Sequence, residues 1–217
     1  MKVFNGYSGS GIFLETAKEM GHTGDSCDAN PIMKPTILAD MLTLNPKWIA
    51  ENYDCVQLSP MCTTMSLAGG NTHWDADRNP KTSNAVVGKA HILHCLKILE
   101  ECIKRNVPCF VENPNGRVVW FMPEKYNHKI TYCSYGEEMM KLTNIYTNCR
   151  SWIPRKKCHN GNTDCHHQPA PRGSKTGTQG RKGNYERSIL PKQLCKEWIQ
   201  ASEEHWKKEK RMEIKDE

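Results

Sequence analysis

The amino-acid sequence predicts an α/β protein built on a doubly wound, mostly parallel sheet. Three observations carry that expectation. Short apolar runs alternate with helix-length segments, as strands do when crossover helices join them. In YSGSGIFLETA, Gly9 and Gly11 stand where the first run turns into the first helical pattern, a place where backbone can approach a ligand closely. Asp28, Asp40, Cys62 and Glu112 follow successive apolar runs, and open α/β sheets bind ligands outside the carboxyl ends of their strands.

The first strand is expected near Val3 to Tyr7. In IFLETAKEMG, Ile12, Phe13, Ala17 and Met20 recur at helical spacing and Gly21 stops the helix. A second strand runs into SCDANP, and a third apolar run, PTILADML, ends near Asp40. YDCVQL makes a further strand, which Ser59 and Pro60 break. The following LAGGNTHWDADRNP is too irregular for an element and reads as a mobile active-site loop. A long helix from about Asn84 to Arg105 can coat the sheet with Val87, Ala90, Ile92, Leu93, Leu96, Ile98 and Leu99. VPCFVENPNG reads as strand and turn, ITYCSYG and TNIYTN as later strands, and LPKQLCKEWIQASEEHWKKEKRMEIKDE as a closing helix with a charged tail. On this reading residues 1–149 form the catalytic core, 150–186 a small Cys/His-rich basic insert, and 187–217 a helix that closes onto the core.

A length of 217 residues suits one core with an appended piece. The formal charge of +6 points to an anionic partner, nucleic acid first. Eleven cysteines follow an N-terminus that lacks an apolar signal core, so they are expected to be reduced thiols of an intracellular, soluble protein. No apolar stretch approaches the span of a bilayer, which excludes a transmembrane helix. A monomer is favoured.

The cofactor reading rests on three strand ends. Tyr7, Ser8, Gly9, Ser10 and Gly11 form the first turn; Asp28, with Ala29, is spaced from the glycines as an acid that accepts from a ribose diol. Asp40, with Met41, is placed to accept from an adenine amine, although acids at strand ends also serve as caps. The turn has no Lys-Ser/Thr after its glycines and is not a full GxGxxG. Adenosylmethionine therefore fits better than a triphosphate or NAD.

The next two strand ends carry the chemistry, in SPMC and ENP. A cysteine that attacks carbon needs a fixed position, exposure and thiolate character, and a turn led by Ser59 and Pro60 gives Cys62 the first two. Glu112 brings a carboxyl group on the neighbouring strand that can donate to a ring nitrogen. Together they describe covalent activation of a pyrimidine: Cys62 adds to C6 while Glu112 bonds N3 and the exocyclic amine.

With YSGSG, Asp28, Asp40, SPMCTTMS, VENPNG, TYCSYG, APRGSKTGTQG and YERSILPKQLC in this order, the chain resembles the cytosine-C5 methyltransferases. It looks most like their small viral and phage members, which carry SPPCT, IENP, a YCxYG segment and RGSxTGTQG. The resemblance covers nearly the whole chain and implies a Rossmann-like class I methyltransferase fold. It also implies methyl transfer from adenosylmethionine to C5, with Cys62 as nucleophile, Glu112 as N3 partner and Asn113 bracing the turn. Two departures stand out. Met61 replaces the second proline before the cysteine, and the Gln-x-Arg-x-Arg segment of larger relatives is absent. Arg117 and Lys141 are candidates for the missing arginine, and Lys141 also reads as a solvated surface cation.

CHNGNTDCHH supplies Cys158, Cys165 and His166, the ligand types of a structural zinc in a segment that lacks apolar residues. Cys133 is the first choice for a fourth ligand and Cys149 the second. In RGSKTGTQGRKG, the glycines allow close approach to a phosphate backbone, while Arg172, Lys175, Arg181 and Lys182 supply charge. The segment occupies the place where larger relatives insert a target-recognition region, which favours DNA, with the target base flipped out. Trp74 could fill the vacated space or stack on a base. The same chemistry on RNA or free cytidine nucleotides, and an idle zinc and nucleic-acid binding module, stay open.

Overall fold

Alternation along β1 (Lys2–Gly6) sets the two faces of the molecule. Val3 and Phe4 are both fully buried but join different apolar clusters, as period-two geometry requires of a strand covered on both sides. The computed structural model describes residues 1–67, 72–169 and 183–216.

Beside β1 stand β2 (Thr23–Asp28), β3 (Ile37–Leu38), β4 (Cys55–Leu58), β5 (Cys109–Pro114), β6 (Asn127–Thr131) and β7 (Leu142–Thr147). They form one seven-stranded sheet in the order β3-β2-β1-β4-β5-β7-β6. The first five strands are mutually parallel. β7 alone runs backwards, antiparallel to both β5 and β6. One face is covered by α1 (Ile12–Glu19) and α5 (Lys192–Asp216), the other by α2 (Pro46–Asn52) and α3 (Ser83–Lys104). This is the doubly wound sheet that the sequence predicts.

Three of the helices have a plain local reason to start. Gly11 takes φ 75° ahead of α1, a left-handed conformation that glycine adopts without a Cβ clash. Asn45 caps α2 by accepting from Lys47 N at 2.9 Å, with Pro46 at the first helical position. Thr82 Oγ1 caps α3, accepting from Ala85 N. The capped Asn-Pro start was the readable sign of α2, a helix that the apolar pattern did not predict.

Three further features differ from the sequence expectation. ITYCSYG is strand only to Thr131; Tyr132–Tyr135 then wind into a 3-10 turn that ends on Gly136 at φ 92°. A short helix, α4 (Asn184–Ser188), precedes the closing helix. The second half of the loop after Cys62 is tied down, with Trp74 bridged to Pro80 and Asp75 N bonded to Asn79 O.

The closing helix α5 holds the sheet along its length. Leu194, Cys195, Trp198 and Ile199 are fully buried, and Trp198 stacks on Phe110 of β5 with ring centres 5.0 Å apart. Farther along, Ser202 Oγ donates to Cys55 Sγ and Trp206 Nε1 to Asp54 O. No helix among the described residues is long and apolar enough to cross a membrane. Trp198→Ala is expected to cost about 3–5 kcal/mol, read as a lowered midpoint in urea unfolding.

Candidate active site

A cavity of about 470 Å³ opens at the carboxyl edge of the sheet, a size suited to a small organic ligand. Its wall includes Tyr7, Ser8, Gly9, Ser10, Asp28, Ala29, Asp40, Met41, Ser59, Pro60, Cys62 and Glu112. Every predicted cofactor residue is therefore in the lining except Gly11, which immediately precedes α1.

The turn after β1 leaves open space at the cavity wall. Tyr7 and Gly9 take φ 54° and 47°, and no atom lies within 4 Å of the place a Gly9 Cβ would occupy. Asp28 fixes the turn, since its two carboxylate oxygens accept from Gly9 N and Asn30 N, each at 2.9 Å. Asp40 caps the next 3-10 turn by accepting from Leu42 N at 2.9 Å, and both acids still face the cavity. On the floor, Asn5 Nδ2 donates to Gln57 Oε1 and Gln57 Nε2 to Ser59 Oγ. Asn5 Oδ1 is buried there without a hydrogen-bond partner, an acceptor that a polar ligand would satisfy. A nucleoside-bearing cofactor such as adenosylmethionine fits this donor and acceptor set. Tyr7 Oη and His91 Nδ1 meet at 3.1 Å beside it, and burial holds the imidazole below its ordinary pKa.

Cys62 is half-buried in the same wall, whereas Cys55 and Cys95 are sealed in the core. Burial drives those two thiols to about 12. Burial also raises Cys62, but the Lys141 ammonium pulls in the opposite direction. Asn113 Nδ2 donates to Pro60 O at 3.0 Å, so the residue after Glu112 braces the turn that carries the thiol. Gly116 lets the two loops touch: a Cβ there would stand 2.1 Å from Met65 O.

Glu112 is 4% exposed and does not stand alone. Its Oε1 accepts from Tyr132 Oη at 2.8 Å and from Lys141 Nζ at 3.3 Å, while Lys141 Nζ lies 3.2 Å from Tyr132 Oη. Both bonds fall on one oxygen, which leaves Oε2 for a ligand. Burial and the neighbouring carboxylate raise the Tyr132 pKa well above its usual value, so the phenol keeps its proton and donates it. Lys141 is a cavity residue, 6% exposed, and not the solvated cation that its sequence context suggested. The signal that could have found it is its place just before a strand that follows YCSYG.

Other predicted residues stand elsewhere. Arg117 is outside the cavity lining: its Nη1 donates to Ser66 O at 2.9 Å and its guanidinium lies over Trp120. It braces the loop after Cys62. Trp74 is a core residue, 2% exposed, donating from Nε1 to Thr64 O and packed on Trp120 and Phe121. It has no face free to stack on a base. Arg172, Lys175, Arg181 and Lys182 lie outside the described residues.

Cys133, Cys158 and Cys165 come together behind the Tyr132 turn, and the histidine that joins them is His167. His166 instead turns its Nε2 to Glu137 O at 3.0 Å. Cys149 is buried against Phe110, Trp152 and the α5 face.

No family model matches the chain, and no curated protein matches it. Among solved structures it is similar to Entamoeba histolytica methyltransferase EhMeth, with 14% identity and a TM-score of 0.50 over 78% of this chain and 57% of that one. The fold is that of a Rossmann-like methyltransferase. Weaker likenesses are to the Schizosaccharomyces pombe Dnmt2 methyltransferase, with 13% identity over 68% of this chain and 48% of that one and a TM-score of 0.45. A Spodoptera frugiperda DNMT2 variant gives 20% identity over 73% and 53%, with a TM-score of 0.41. The chain spans about half the length of the structures it matches.

A cation beside a thiol favours the thiolate. Lys141→Met should therefore move the pH profile of Cys62 alkylation to higher pH, and Lys141→Arg should leave it nearly in place. An unchanged profile in the Met variant, followed by peptide mapping, would remove Lys141 from the electrostatics of the thiol.

Proposed function

We propose that the protein is an adenosylmethionine-dependent cytosine C5-methyltransferase that acts on nucleic acid, DNA first. One observation carries the proposal: Cys62 and Glu112 face the same cavity as the glycine turn and the two acids that suit a nucleoside. The motif order in the sequence agrees with it. The Entamoeba protein that shares the fold is described as a methyltransferase, which supports group transfer as the reaction class.

The residues then take defined roles. Cys62 sulfur forms a bond to C6 of cytosine, and the electron pair of the C5–C6 double bond moves toward C5. A proton shared between the Glu112 carboxyl group and N3 holds that edge of the ring and neutralises the charge that develops on addition. Tyr132 and Lys141 hold that carboxyl in one orientation, and Asn113 holds the Pro60 turn that aims the sulfur. Bound adenosylmethionine would supply the methyl group that C5 receives, its sulfonium S–CH3 bond breaking to leave the neutral thioether adenosylhomocysteine. A base then takes the C5 proton, the C5–C6 double bond re-forms, and the S–C6 bond breaks to restore the thiolate. Asp28 and Asp40 are the acceptors for the cofactor's ribose and adenine, and Tyr7 to Ser10 let its chain approach the backbone.

The substrate follows from access and charge. A cytosine inside a duplex cannot reach a half-buried thiol, so the base must leave the stack. The net charge of +6 and the run RGSKTGTQGRKG suit a phosphate backbone, although residues 170–182 lie outside the described region.

Methyl transfer from labelled adenosylmethionine to duplex DNA, single-stranded RNA and CTP tests the reading. Label is expected on C5 of cytosine in DNA, and Cys62→Ala should abolish it with cofactor affinity intact. Label on RNA or CTP alone would replace the substrate; full turnover by Cys62→Ala would end the mechanism. Independently, Asp28→Ala should weaken cofactor binding about tenfold to a hundredfold, as loss of hydrogen bonds to a charged group does, measured by titration calorimetry without nucleic acid.

A further inference from the structure

Residues 153–169 follow Trp152, a core tryptophan, and no apolar side chain among them is buried. The one buried side chain in that stretch is polar: His167, 7% exposed. A segment that cannot order itself by apolar burial needs another source of order. Backbone contacts supply part of it. Cys158 N donates to Thr131 Oγ1 at 2.9 Å, Gln168 N to Glu138 O at 2.8 Å, and Arg155 N to Tyr135 Oη at 3.0 Å. All three partners belong to the stretch around the Tyr132–Tyr135 turn.

What those contacts do not explain is why the buried histidine faces sulfur. The ligand atoms of Cys133, Cys158, Cys165 and His167 all lie within 4.8 Å of one another. His167 Nδ1 stands 3.5 Å from Cys158 Sγ. In a tetrahedral zinc site, bonds of about 2.3 Å to sulfur and about 2.0 Å to nitrogen place N and S about 3.6 Å apart and two sulfurs about 3.8 Å apart. The observed separations need to close by no more than about 1 Å to meet that geometry. Asn162 Nδ2 donates to Cys158 Sγ at 3.4 Å, a contact that orients a sulfur and takes up part of its charge.

We propose that Cys133, Cys158, Cys165 and His167 bind one structural zinc ion. Four protein ligands close the coordination sphere, and three thiolates with one imidazole suit Zn²⁺ rather than a hard cation. The ion joins the segment to the core through Cys133, the residue after Tyr132. Tyr132 Oη donates to Glu112, so the metal also fixes the turn that presents the phenol to the cavity wall. The metal site stands whether or not the methyl-transfer reading holds.

Elemental analysis of the purified full chain should give one zinc per chain. Exchange for Co²⁺ should give the visible bands of a tetrahedral, thiolate-rich centre. His166→Ala should keep the metal and His167→Ala should lose it to a chelator at least tenfold more readily; His166 is thus the control for folding. Hydrogen exchange at residues 131–138 should rise when a chelator removes zinc, with β4 unchanged. Absence of metal from the wild-type chain together with no Co²⁺ uptake, or a Cys158–Cys165 disulfide found by mass spectrometry, would overturn the proposal. So would equal metal loss in the two histidine variants.

Discussion

The reversed strand β7 is the constraint on which the site depends. β1, β2, β4 and β5 are parallel, so their carboxyl ends meet one edge and deliver the glycine turn, Asp28, the Cys62 loop and Glu112 to it. A further parallel strand could bring only another carboxyl end. Because β7 runs backwards, it begins at that edge: Thr143 lies opposite Pro114 and Leu142 opposite Thr131. Lys141, just before β7, and Tyr132, just after β6, thus arrive together beside Glu112. One antiparallel pair supplies the cation and the phenol that a buried carboxylate needs.

The energetics explain why the three groups occur as a set. Taking a carboxylate and an ammonium out of water costs several kcal/mol per ion, and their attraction offsets this only when the remaining hydrogen-bonding capacity is used. Tyr132 meets both partners and so helps to offset that cost. The same logic applies to the neighbouring cluster of three cysteines and His167. A buried histidine among sulfurs is costly as an isolated group, and ligation would give it a partner. Both clusters are anchored in the turn from Tyr132 to Gly136, so order in the basic segment and order at Glu112 share one piece of backbone.

Most of the sheet was legible in the sequence because a strand buried on both faces reads as a short apolar run. That Cys62 and the glycine turn would share one edge of the sheet was legible because each follows such a run. Lys141 was legible only as one of two candidate cations, since its arrival beside Glu112 depends on the direction of the strand that follows it. Arg117 misled for the opposite reason: it lies close to Glu112 in sequence, yet the backbone contact of Gly116 with Met65 turns it toward Ser66. Trp74 was a candidate to fill the vacated space or stack on a base; its indole is carried inward to Trp120 and Phe121, which no spacing rule links to it. The choice between His166 and His167 turned on which ring the chain buries, and adjacent residues look alike in sequence.

The central claim is that Cys62 sulfur bonds to a cytosine held by Glu112. Incubation with adenosylmethionine and an oligonucleotide containing 5-fluorocytosine tests it, because fluorine at C5 blocks the elimination that frees the enzyme. The account predicts a stable complex whose adduct maps by mass spectrometry to the peptide containing Cys62. An adduct on another cysteine, or none on any cytosine-bearing DNA or RNA while the cofactor binds, would contradict it.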